Sequence, residues 1–209
     1  PTSFTGLFTS AGGADGTAST TYALGISATG ADSGLDDTAT GQSIYLYMDG
    51  NDVVGRVGSG GVADPAGVIA FRVTNSGGSL SLDQVRAVMH DIDGSTPTDH
   101  DDAKTLSLAT LITLTATITD GDGDTASAVA NIGQALSFED DGPSISRNAV
   151  AAPTLTVDET ILTTNAGPTS FTGLFTSAGG ADGTASTTYA LGISATGADS
   201  GLDDTATGQ

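Results

Sequence analysis

Alternating apolar and polar positions recur along much of the chain. Three short stretches place apolar residues at every second position, namely Tyr22, Leu24 and Ile26, then Ile44, Leu46 and Met48, then Ile69, Phe71 and Val73. A period of two is typical of a strand with one buried face. Residues 106–118 give the clearest stretch, with Thr or Ser filling much of the other face. We expect a strand there, with a break near Thr110.

Glycine and aspartate separate these stretches where turns are needed, at residues 49–52 (DGND), 75–78 (NSGG) and 120–124 (DGDGD). Such residues favour tight turns between antiparallel strands, so we expect hairpins. Residues 81–89 leave two interpretations open, a short helix that begins at a capping box or a bulged strand. The pattern therefore predicts an all-β, β-sandwich-like repeat domain with hairpins and at most one short helix.

The strongest feature of the sequence is an internal repetition. Residues 1–42 (the first copy) recur without a change at residues 168–209 (the second copy). The offset suits a whole domain better than a solenoid repeat and predicts a tandem array, although a duplication introduced by cloning is the alternative. An array of this kind makes neighbouring repeats of the same polypeptide the expected partners.

The alternation stops at residues 141–153, where Pro, Gly and small residues are frequent, and a new strand pattern begins at Leu155, Val157 and Ile161. We therefore predict a repeat domain over residues 1–142 that lacks its own opening strand. A linker over 143–152 and the opening segment of the next repeat over 153–209 would follow. Because an open sheet edge can pair with another chain, head-to-tail self-association is a further expectation.

Charge narrows the functions that the chain can have. It carries 25 acidic and 5 basic residues, for a formal net charge of −20. A surface of this charge repels phosphate groups, so we expect no nucleic-acid binding, and no apolar run is long enough for membrane insertion. The chain has no cysteine, so no disulfide can reinforce it, and bound metal is the expected substitute.

Motifs of catalysis are missing from the sequence. There is no Gly-x-Ser-x-Gly turn, no phosphate-binding loop with its lysine and no His-Glu-x-x-His pair. His90 and His100 are the only histidines. No nucleophile motif accompanies them, and we expect both to face solvent or to lie at strand ends. The sequence therefore predicts that the protein is not an enzyme.

The aspartates of the 120–124 turn are the first candidate metal ligands. Asp120, Asp122 and Asp124 alternate with glycine, so their carboxylates and nearby carbonyls can converge on a hard cation such as Ca²⁺, which takes about 6–8 oxygen ligands. A hydrogen-bonded hairpin turn without an ion is the alternative. Because three like charges in such a short turn repel one another, we favour calcium.

Two further acidic groups are weaker candidates for calcium. One flanks the linker and would stiffen the joint between domains, with the alternative of a solvated charge run; it comprises Glu139, Asp140, Asp141, Asp158 and Glu159. The other resembles the opening of an EF-hand but lacks its ligand spacing and closing glutamate. It comprises Asp91, Asp93, Asp99, Asp101 and Asp102, with an ordinary surface loop as the alternative. The pair Asp36–Asp37 is weaker still.

Four segments resemble the tandem domains of giant bacterial RTX-type adhesins. They are residues 117–125 (TITDGDGDT), 135–143 (ALSFEDDGP), 153–160 (PTLTVDET) and 170–175 (SFTGLF). The resemblance implies an extracellular protein on the bacterial cell surface, exported by type I secretion, with calcium-dependent rigidity and a role in attachment or biofilm formation. It also implies that identical repeats act as extenders that hold a terminal binding domain away from the cell. The glycine-rich nonapeptide repeat that gives the RTX class its name is absent from this sequence.

Two functions follow from these expectations. The first is a calcium-stiffened spacer in a surface adhesin, with no substrate of its own. The alternative is a calcium-dependent module that binds glycans or another surface through its loops, with Tyr45, Tyr47 and residues 91–102 as its contact surface. Because aromatic residues make up only 5% of the chain and tryptophan is absent, stacking on sugars is the weaker prospect.

Overall fold

The computed structural model of the chain describes residues 1–91, 102–180, 183–184 and 186–206. Within these residues the fold is all-β, and the only helical elements are short 3-10 turns. No helix in the described ranges is long and apolar enough to cross a membrane. The strands are β1 Thr2–Ser3, β2 Thr17–Ile26, β3 Ala31–Asp36, β4 Ser43–Asp49, β5 Asp52–Val57, β6 Ile69–Ser76, β7 Ser79–Gln84, β8 Ala103–Thr105, β9 Ile112–Asp120, β10 Thr125–Asn131, β11 Ser137–Glu139, β12 Ser144–Arg147 and β13 Phe175–Ala178. The 3-10 turns are Thr5–Leu7, Ala109–Leu111, Gly133–Ala135, Glu159–Ile161 and Thr172–Leu174.

Two antiparallel sheets face each other across the core. The larger sheet has the strand order β1-β7-β6-β5-β4-β3, and the smaller sheet has the order β10-β9-β2. Strand β2 of the smaller sheet packs against β4, β5 and β6 of the larger one. Separate pairs join β8 to β11 and β12 to β13. The β-sandwich-like, all-β fold predicted from the alternation is therefore confirmed.

Strands from both sheets bury their inward side chains in one cluster. Its fully or nearly fully buried members include Leu35, Ile44, Leu46, Val53, Phe71, Val73, Leu106, Ile112, Leu114, Ile132 and Phe138. The rings of Phe71 and Phe138 have centroids 5.1 Å apart and tilt by 60°, a favourable arrangement for aromatic pairs. Because Phe138 lies on β11, this contact ties the end of the domain to the larger sheet.

The predicted strands are found at the expected positions, but one residue of the predicted buried face is exposed. Residues 22–26, 44–48 and 69–73 lie in β2, β4 and β6, and the expected break near Thr110 is the 3-10 turn Ala109–Leu111. Leu108 was expected to share the buried face of the 106–118 stretch, but it is 58% exposed. The turn that follows it interrupts the period of two, so its side chain does not follow the parity of β9.

Each predicted turn joins two adjacent antiparallel strands. The 49–52, 75–78 and 120–124 segments connect β4 to β5, β6 to β7 and β9 to β10. In the β6–β7 turn, Gly77 and Gly78 both have positive φ, 60° and 85°. Two consecutive left-handed residues match the twist of the flanking strands and favour glycine at both positions.

Residues 81–89 contain no helix, and a β-bulge follows directly after the last strand residue. Strand β7 runs to Gln84, and the backbone N–H groups of Val85 and Arg86 both donate to the carbonyl oxygen of Ala70, at 2.7 and 3.0 Å. Two residues on one strand that face one on its partner define a β-bulge. The capping-box interpretation of this segment is wrong, and the bulged-strand interpretation is confirmed.

The strand pattern at residues 155–161 does not produce a strand. Leu155, Val157 and Ile161 are 54%, 67% and 59% exposed, and the region contains only a 3-10 turn at Glu159–Ile161. These residues have no neighbouring strand, and a strand without a partner edge leaves its backbone groups and apolar face in water. The expectation of a strand here is corrected for this chain, while the predicted domain boundaries stay predictions.

Candidate metal centre

The turn between β9 and β10 is organised by the side chain of Asp120. Its Oδ1 atom accepts hydrogen bonds from the backbone N–H groups of Gly123 and Asp124, at 3.1 and 2.8 Å. The backbone N–H of Asp120 donates to the carbonyl oxygen of Asp124 at 3.0 Å. The turn therefore has a hydrogen-bonded framework of its own, as the alternative interpretation of this segment expected.

Three carboxylates meet on one side of this turn. One carboxylate oxygen from each of Asp15, Asp120 and Asp122 lies within 4.8 Å of the other two. Of the predicted ligands, Asp120 and Asp122 belong to this triad, whereas the side chain of Asp124 does not. Asp15, which the sequence did not indicate, takes the third place. The triad could hold a metal ion, and it is the only such group of three among the described residues.

Pairing between β2 and β9 brings Asp15 to the turn. Thr17 pairs with Asp120 and Ser19 with Thr119, so Ala18 is the extra residue of a β-bulge at the start of β2. Bulges strengthen the local twist and re-aim neighbouring residues. The segment just before the bulge consequently passes over the turn that carries Asp120 and Asp122.

Gly121 allows this close approach. A Cβ atom on Gly121 would lie 2.8 Å from the carbonyl oxygen of Asp15, a distance that real side chains essentially never adopt. The absence of a side chain therefore lets two backbone segments touch, which is a common use of glycine next to a strand. The same carbonyl oxygen is a further oxygen atom close to the triad.

The three ionised carboxylates repel one another unless a cation lies between them. Two unit charges 4 Å apart repel by about 1 kcal/mol in bulk water and by more near a protein surface. Interaction with the Asp122 side chain, together with hydrogen bonds from the backbone N–H groups of residues 122–124, lowers the pKa of Asp120. A bound cation would remove the repulsion among all three groups.

A recess lies next to Asp120, which is the one member of the triad that lines it. It has a volume of about 160 Å³ and is lined by residues that include Gly12, Gly13, Asp120 and Asp124. Three carboxylates supply between three and six oxygen atoms. Because calcium takes about 6–8 oxygens, water or carbonyl groups would complete its shell.

The acids that flank the linker are not gathered into a comparable group. The backbone N–H of Asp140 donates to the carbonyl oxygen of Asp102 at 3.0 Å, and Asp141 donates to the side chain of Asp140 at 2.9 Å. Glu139, Asp140 and Asp141 also line a recess of about 360 Å³ together with His90.

On the far side of the linker, Asp158 and Glu159 lie at the start of a 3-10 turn. The Asp158 side chain accepts a hydrogen bond from the N–H of Thr160 at 2.8 Å, and hydrogen bonds from the Thr160 side chain and backbone lower the pKa of Asp158. Within the described ranges, no group of three metal-ligating side chains includes any acid that flanks the linker. A calcium ion shared across the joint stays a prediction.

The third acidic group is described only in part, because Asp93, Asp99 and Asp101 lie outside the described residues. Asp91 pairs with Lys104, whose Nζ atom lies 2.9 Å from its carboxylate. The hydrogen bond and charge of that ammonium group lower the pKa of Asp91. Lys104 thus already supplies a positive partner for Asp91.

The only described histidine is buried rather than solvent-facing. The side chain of His90 is 5% exposed, and its Nδ1 atom lies 3.5 Å from Oδ2 of Asp102. In the described part of the chain, Nδ1 of His90 and Oδ1 of Asp102 are buried without a hydrogen-bond partner. The expectation of solvent exposure is corrected for His90, while His100 lies outside the described residues.

Asp37 has an arginine as its counter-charge. Its side chain is 1% exposed, and Nε of Arg86 lies 2.6 Å from it. Burial alone would raise the pKa of Asp37, but hydrogen bonds from Arg86 and Thr40 and the charge of Arg86 outweigh burial and lower it. This pair joins the end of β3 to the bulge after β7. The sequence did not indicate it, since the two residues are far apart along the chain.

The surface expected for glycan binding is incomplete. Tyr47 is 7% exposed, so its ring is not available to stack on a sugar. Tyr45 is half-buried, and its hydroxyl donates to the carbonyl oxygen of Gly61 at 3.3 Å. Residues 92–101, the rest of that expected surface apart from Asp91 and Asp102, lie outside the described ranges.

A comparison with known protein families identifies the family of this chain. The model of the family described as a domain of unknown function (DUF5801) matches residues 1–133 and 154–209. The chain therefore belongs to this family. No curated protein and no solved structure is detectably similar to it.

Proposed function

We propose that this member of the DUF5801 family is a calcium-stiffened spacer repeat of an extracellular bacterial surface adhesin. The observation that carries the proposal is the unchanged recurrence of residues 1–42 at residues 168–209. A spacer needs many copies of one rigid unit, and identical copies satisfy that need without any binding surface of their own. The resemblance of its motifs to RTX-type adhesins supports export by type I secretion and a role in cell attachment or biofilm formation.

The Asp15–Asp120–Asp122 triad supports the calcium part of the proposal. Its donors are all carboxylate oxygens, the ligand type that hard cations such as calcium prefer. Asp15 precedes β2, whereas Asp120 and Asp122 belong to the β9–β10 turn. An ion held between them fastens the start of β2 to that turn and resists fraying of the smaller sheet.

The contact between β12 and β13 supports a fixed joint between repeats. Four residue pairs join Ser144–Arg147 to Phe175–Ala178, which lies in the second copy. Asn148 adds a backbone hydrogen bond to the carbonyl oxygen of Leu174 at 2.7 Å and side-chain hydrogen bonds with Gly173 and Thr176 at 3.0 and 2.7 Å. The connector is therefore bound to the segment that follows it. A joint of this kind restricts bending, and calcium at the flanking acids would restrict it further.

Thermal unfolding tests the calcium site. A ligand that binds only the folded state adds about 2.7 kcal/mol of stability at a hundred times its Kd, which corresponds to a rise in Tm of roughly 5–10 °C for a domain of this size. We expect this rise for the unaltered chain and its loss in Asp122→Asn. Asp83→Asn is the matched control, since this exposed aspartate of β7 lies outside both the triad and the recess beside Asp120, and it should keep the rise. An equal rise in both variants would contradict the site.

Small-angle scattering tests the spacer role. A protein of two complete repeats should have a longer maximum dimension and a narrower distribution of distances with calcium than with chelator. Equal dimensions in both conditions would mean that calcium does not stiffen the joint. A glycan array with calcium separates the two functions, because specific binding by a single repeat would contradict a spacer without a ligand of its own.

A further inference from the structure

The two identical copies present the same side chains in opposite surroundings. Leu24 and Leu35 of the first copy are 8% and 0% exposed, whereas their equivalents Leu191 and Leu202 in the second copy are 106% and 82% exposed. The second copy therefore exposes residues that build the core when they occur in the first copy. A set of exposed apolar residues of this kind indicates an interaction surface.

The first copy packs against a defined surface on the rest of the domain. Its strands β1, β2 and β3 pair with β7, β9 and β4, respectively. We call these three strand edges, with the core side chains beneath them, the slot. Strand addition to an edge combines backbone hydrogen bonds with pockets for alternate side chains, so it recognises a particular sequence.

Polar side chains on either side of the slot add to that recognition. Arg86 pairs with Asp37, and the side-chain amide of Asn75 donates to the carbonyl oxygen of Tyr22 at 2.8 Å. The hydroxyl of Ser33 in turn donates to the carbonyl oxygen of Ile44 at 2.6 Å. Each first-copy member of these pairs has an identical residue in the second copy, namely Asp204, Tyr189 and Ser200.

The second copy already has part of the conformation that the slot requires. The 3-10 turn Thr5–Leu7 recurs as Thr172–Leu174. The ring contact between Phe8 and Tyr22, with centroids 5.9 Å apart, recurs between Phe175 and Tyr189 at 5.8 Å. A segment that is partly ordered before it binds loses less conformational entropy on binding.

We propose that the slot accepts either copy, so that the second copy replaces the first copy within the same chain. Because the two sequences are identical, the contacts that each makes in the slot are identical too. Only the connection differs. The first copy continues directly into β4, whereas the second copy is joined through residues 143–167 to the end of the domain. The first copy therefore has the advantage until a change weakens it.

The connector is long enough for this exchange. Once the β12–β13 pairing opens, its 25 residues, 143–167, span about 80 Å when extended and about 25–30 Å as a flexible chain. A domain of this length has a radius of gyration of roughly 14 Å, so the second copy reaches any face of it. A tether of this length gives an effective concentration in the millimolar range, well above the concentration of other chains in dilute solution. Exchange within one chain therefore precedes exchange between chains.

Disulfide trapping tests the proposal directly, because the chain has no cysteine of its own. Ala23 pairs with Thr115 in the β2–β9 ladder, and Ala190 is the equivalent of Ala23 in the second copy. Paired residues on adjacent strands have the Cα separation that a disulfide needs. We expect Thr115→Cys with Ala190→Cys to form a disulfide within a single chain. Its yield should rise roughly tenfold or more when Leu24→Asp weakens the first copy.

Two controls define the geometry of that disulfide. The first control, Thr115→Cys with Ala23→Cys, gives the disulfide yield for a copy that occupies the slot. The second control is Thr115→Cys with Thr188→Cys. Residue 188 lies two residues away from the register that pairs with Thr115, so this variant should form little disulfide. Equal yields from Ala190→Cys and Thr188→Cys would mean random collision of the second copy and would overturn the proposal. A disulfide found only between chains would overturn exchange within one chain.

Unfolding of the full chain gives a second measurement without cysteines. Leu24→Asp should keep a cooperative unfolding transition because the second copy takes the slot, and Leu191→Asp should leave Tm unchanged. The combined Leu24→Asp and Leu191→Asp chain should lose the transition, since neither copy then fits. If Leu24→Asp alone abolishes the transition, the second copy does not replace the first and the proposal is wrong.

Discussion

Residues 17–26 form the ten-residue strand β2 in the first copy, whereas the identical residues described in the second copy, 184 and 186–193, form no strand. Strand β2 pairs with β9 along its whole length, and the second copy has no such neighbour. Side chains with the right alternation are therefore insufficient to make a strand. The sandwich supplies the missing hydrogen bonds and the apolar surface.

Turns behave differently from strands in this comparison. Gly13 and its equivalent Gly180 have φ values of 66° and 69°, and Gly30 and Gly197 have values of 75° and 76°. These conformations persist although the surroundings differ, since a Cβ atom on Gly13 or Gly197 would meet nothing within 4 Å, whereas one on Gly180 would meet Asp141 and one on Gly30 would meet Ala63. Local sequence therefore determines the turns of the 1–42 sequence, and tertiary contacts determine its strands.

The largest contrast between the copies should appear at Leu35 and Leu202. Leu202→Ala should change the free energy of unfolding by less than about 0.5 kcal/mol, because the side chain is already exposed. Leu35→Ala combined with Leu202→Ala should cost about 3–5 kcal/mol, as expected for a truncated core leucine. Leu35→Ala alone should cost less than the combined change, since the intact second copy can take the slot. Denaturant unfolding measures all three, and equal costs for the single and combined changes would contradict exchange.

Arg86 should show the next largest effect. Arg86→Met leaves the buried Asp37 carboxylate without its counter-charge and should cost about 3 kcal/mol. Among the described residues, Asp204, the equivalent of Asp37, accepts only a backbone hydrogen bond from Ala206 at 2.8 Å. Asp204→Asn should therefore change stability by less than about 0.5 kcal/mol. A similar loss in both variants would mean that the second copy is packed like the first.

The pH dependence of stability tests whether the contact between Asp37 and Arg86 stabilises the folded state. The pKa of Asp37 is lowered in the folded state, so its contribution is present above the ordinary carboxyl pKa of about 4 and is lost as pH falls through the folded value. The unaltered chain should lose this contribution in acid. In Arg86→Met the unpaired carboxyl should have a raised pKa, so acid should reduce the cost of that change. Thermal unfolding between pH 3 and 7 measures the difference between the two chains, and a cost independent of pH would contradict the assignment.

Gly121→Ala should have a moderate effect at the triad. Its Cβ atom would meet the carbonyl oxygen of Asp15 at 2.8 Å, and overpacking of this kind typically costs about 1–3 kcal/mol. Calcium affinity should fall too, because the Asp15 segment must move away. Gly167→Ala is the control, since a Cβ atom there meets nothing within 4 Å. Unchanged stability and calcium affinity in Gly121→Ala would show that the two segments are not in contact.

The smallest global effect is expected for Asn148→Ala. The substitution removes two side-chain hydrogen bonds to the second copy, worth about 1 kcal/mol each, but no contact inside the sandwich. Tm should stay the same, while limited proteolysis between β12 and β13 should become roughly fivefold to tenfold faster. An unchanged cleavage rate would mean that Asn148 does not hold the connector to the second copy.

Much of the fold follows from the sequence because its signals are local. The alternation at residues 44–48 predicts β4, and the glycine-rich 75–78 segment predicts the β6–β7 hairpin. Asp15 was missed because only the β2–β9 pairing, a contact between distant parts of the chain, brings it to the turn. The hydrophobic period did not predict the exposure of Leu108, because a 3-10 turn interrupts the strand after it. It also predicted a strand at residues 155–161 that does not form, because the period does not show whether a partner strand is present.

Calcium titration calorimetry decides whether the triad is a calcium site, because it measures binding without any assumption about function. The decisive comparison is between Asp15→Asn and Asp182→Asn, which change the same sequence position in the first and second copies. We expect the unaltered chain to bind calcium, Asp182→Asn to bind it equally well and Asp15→Asn to lose that site. Calcium binding that survives unchanged in Asp15→Asn, or no binding by the unaltered chain, would contradict a calcium site at the triad.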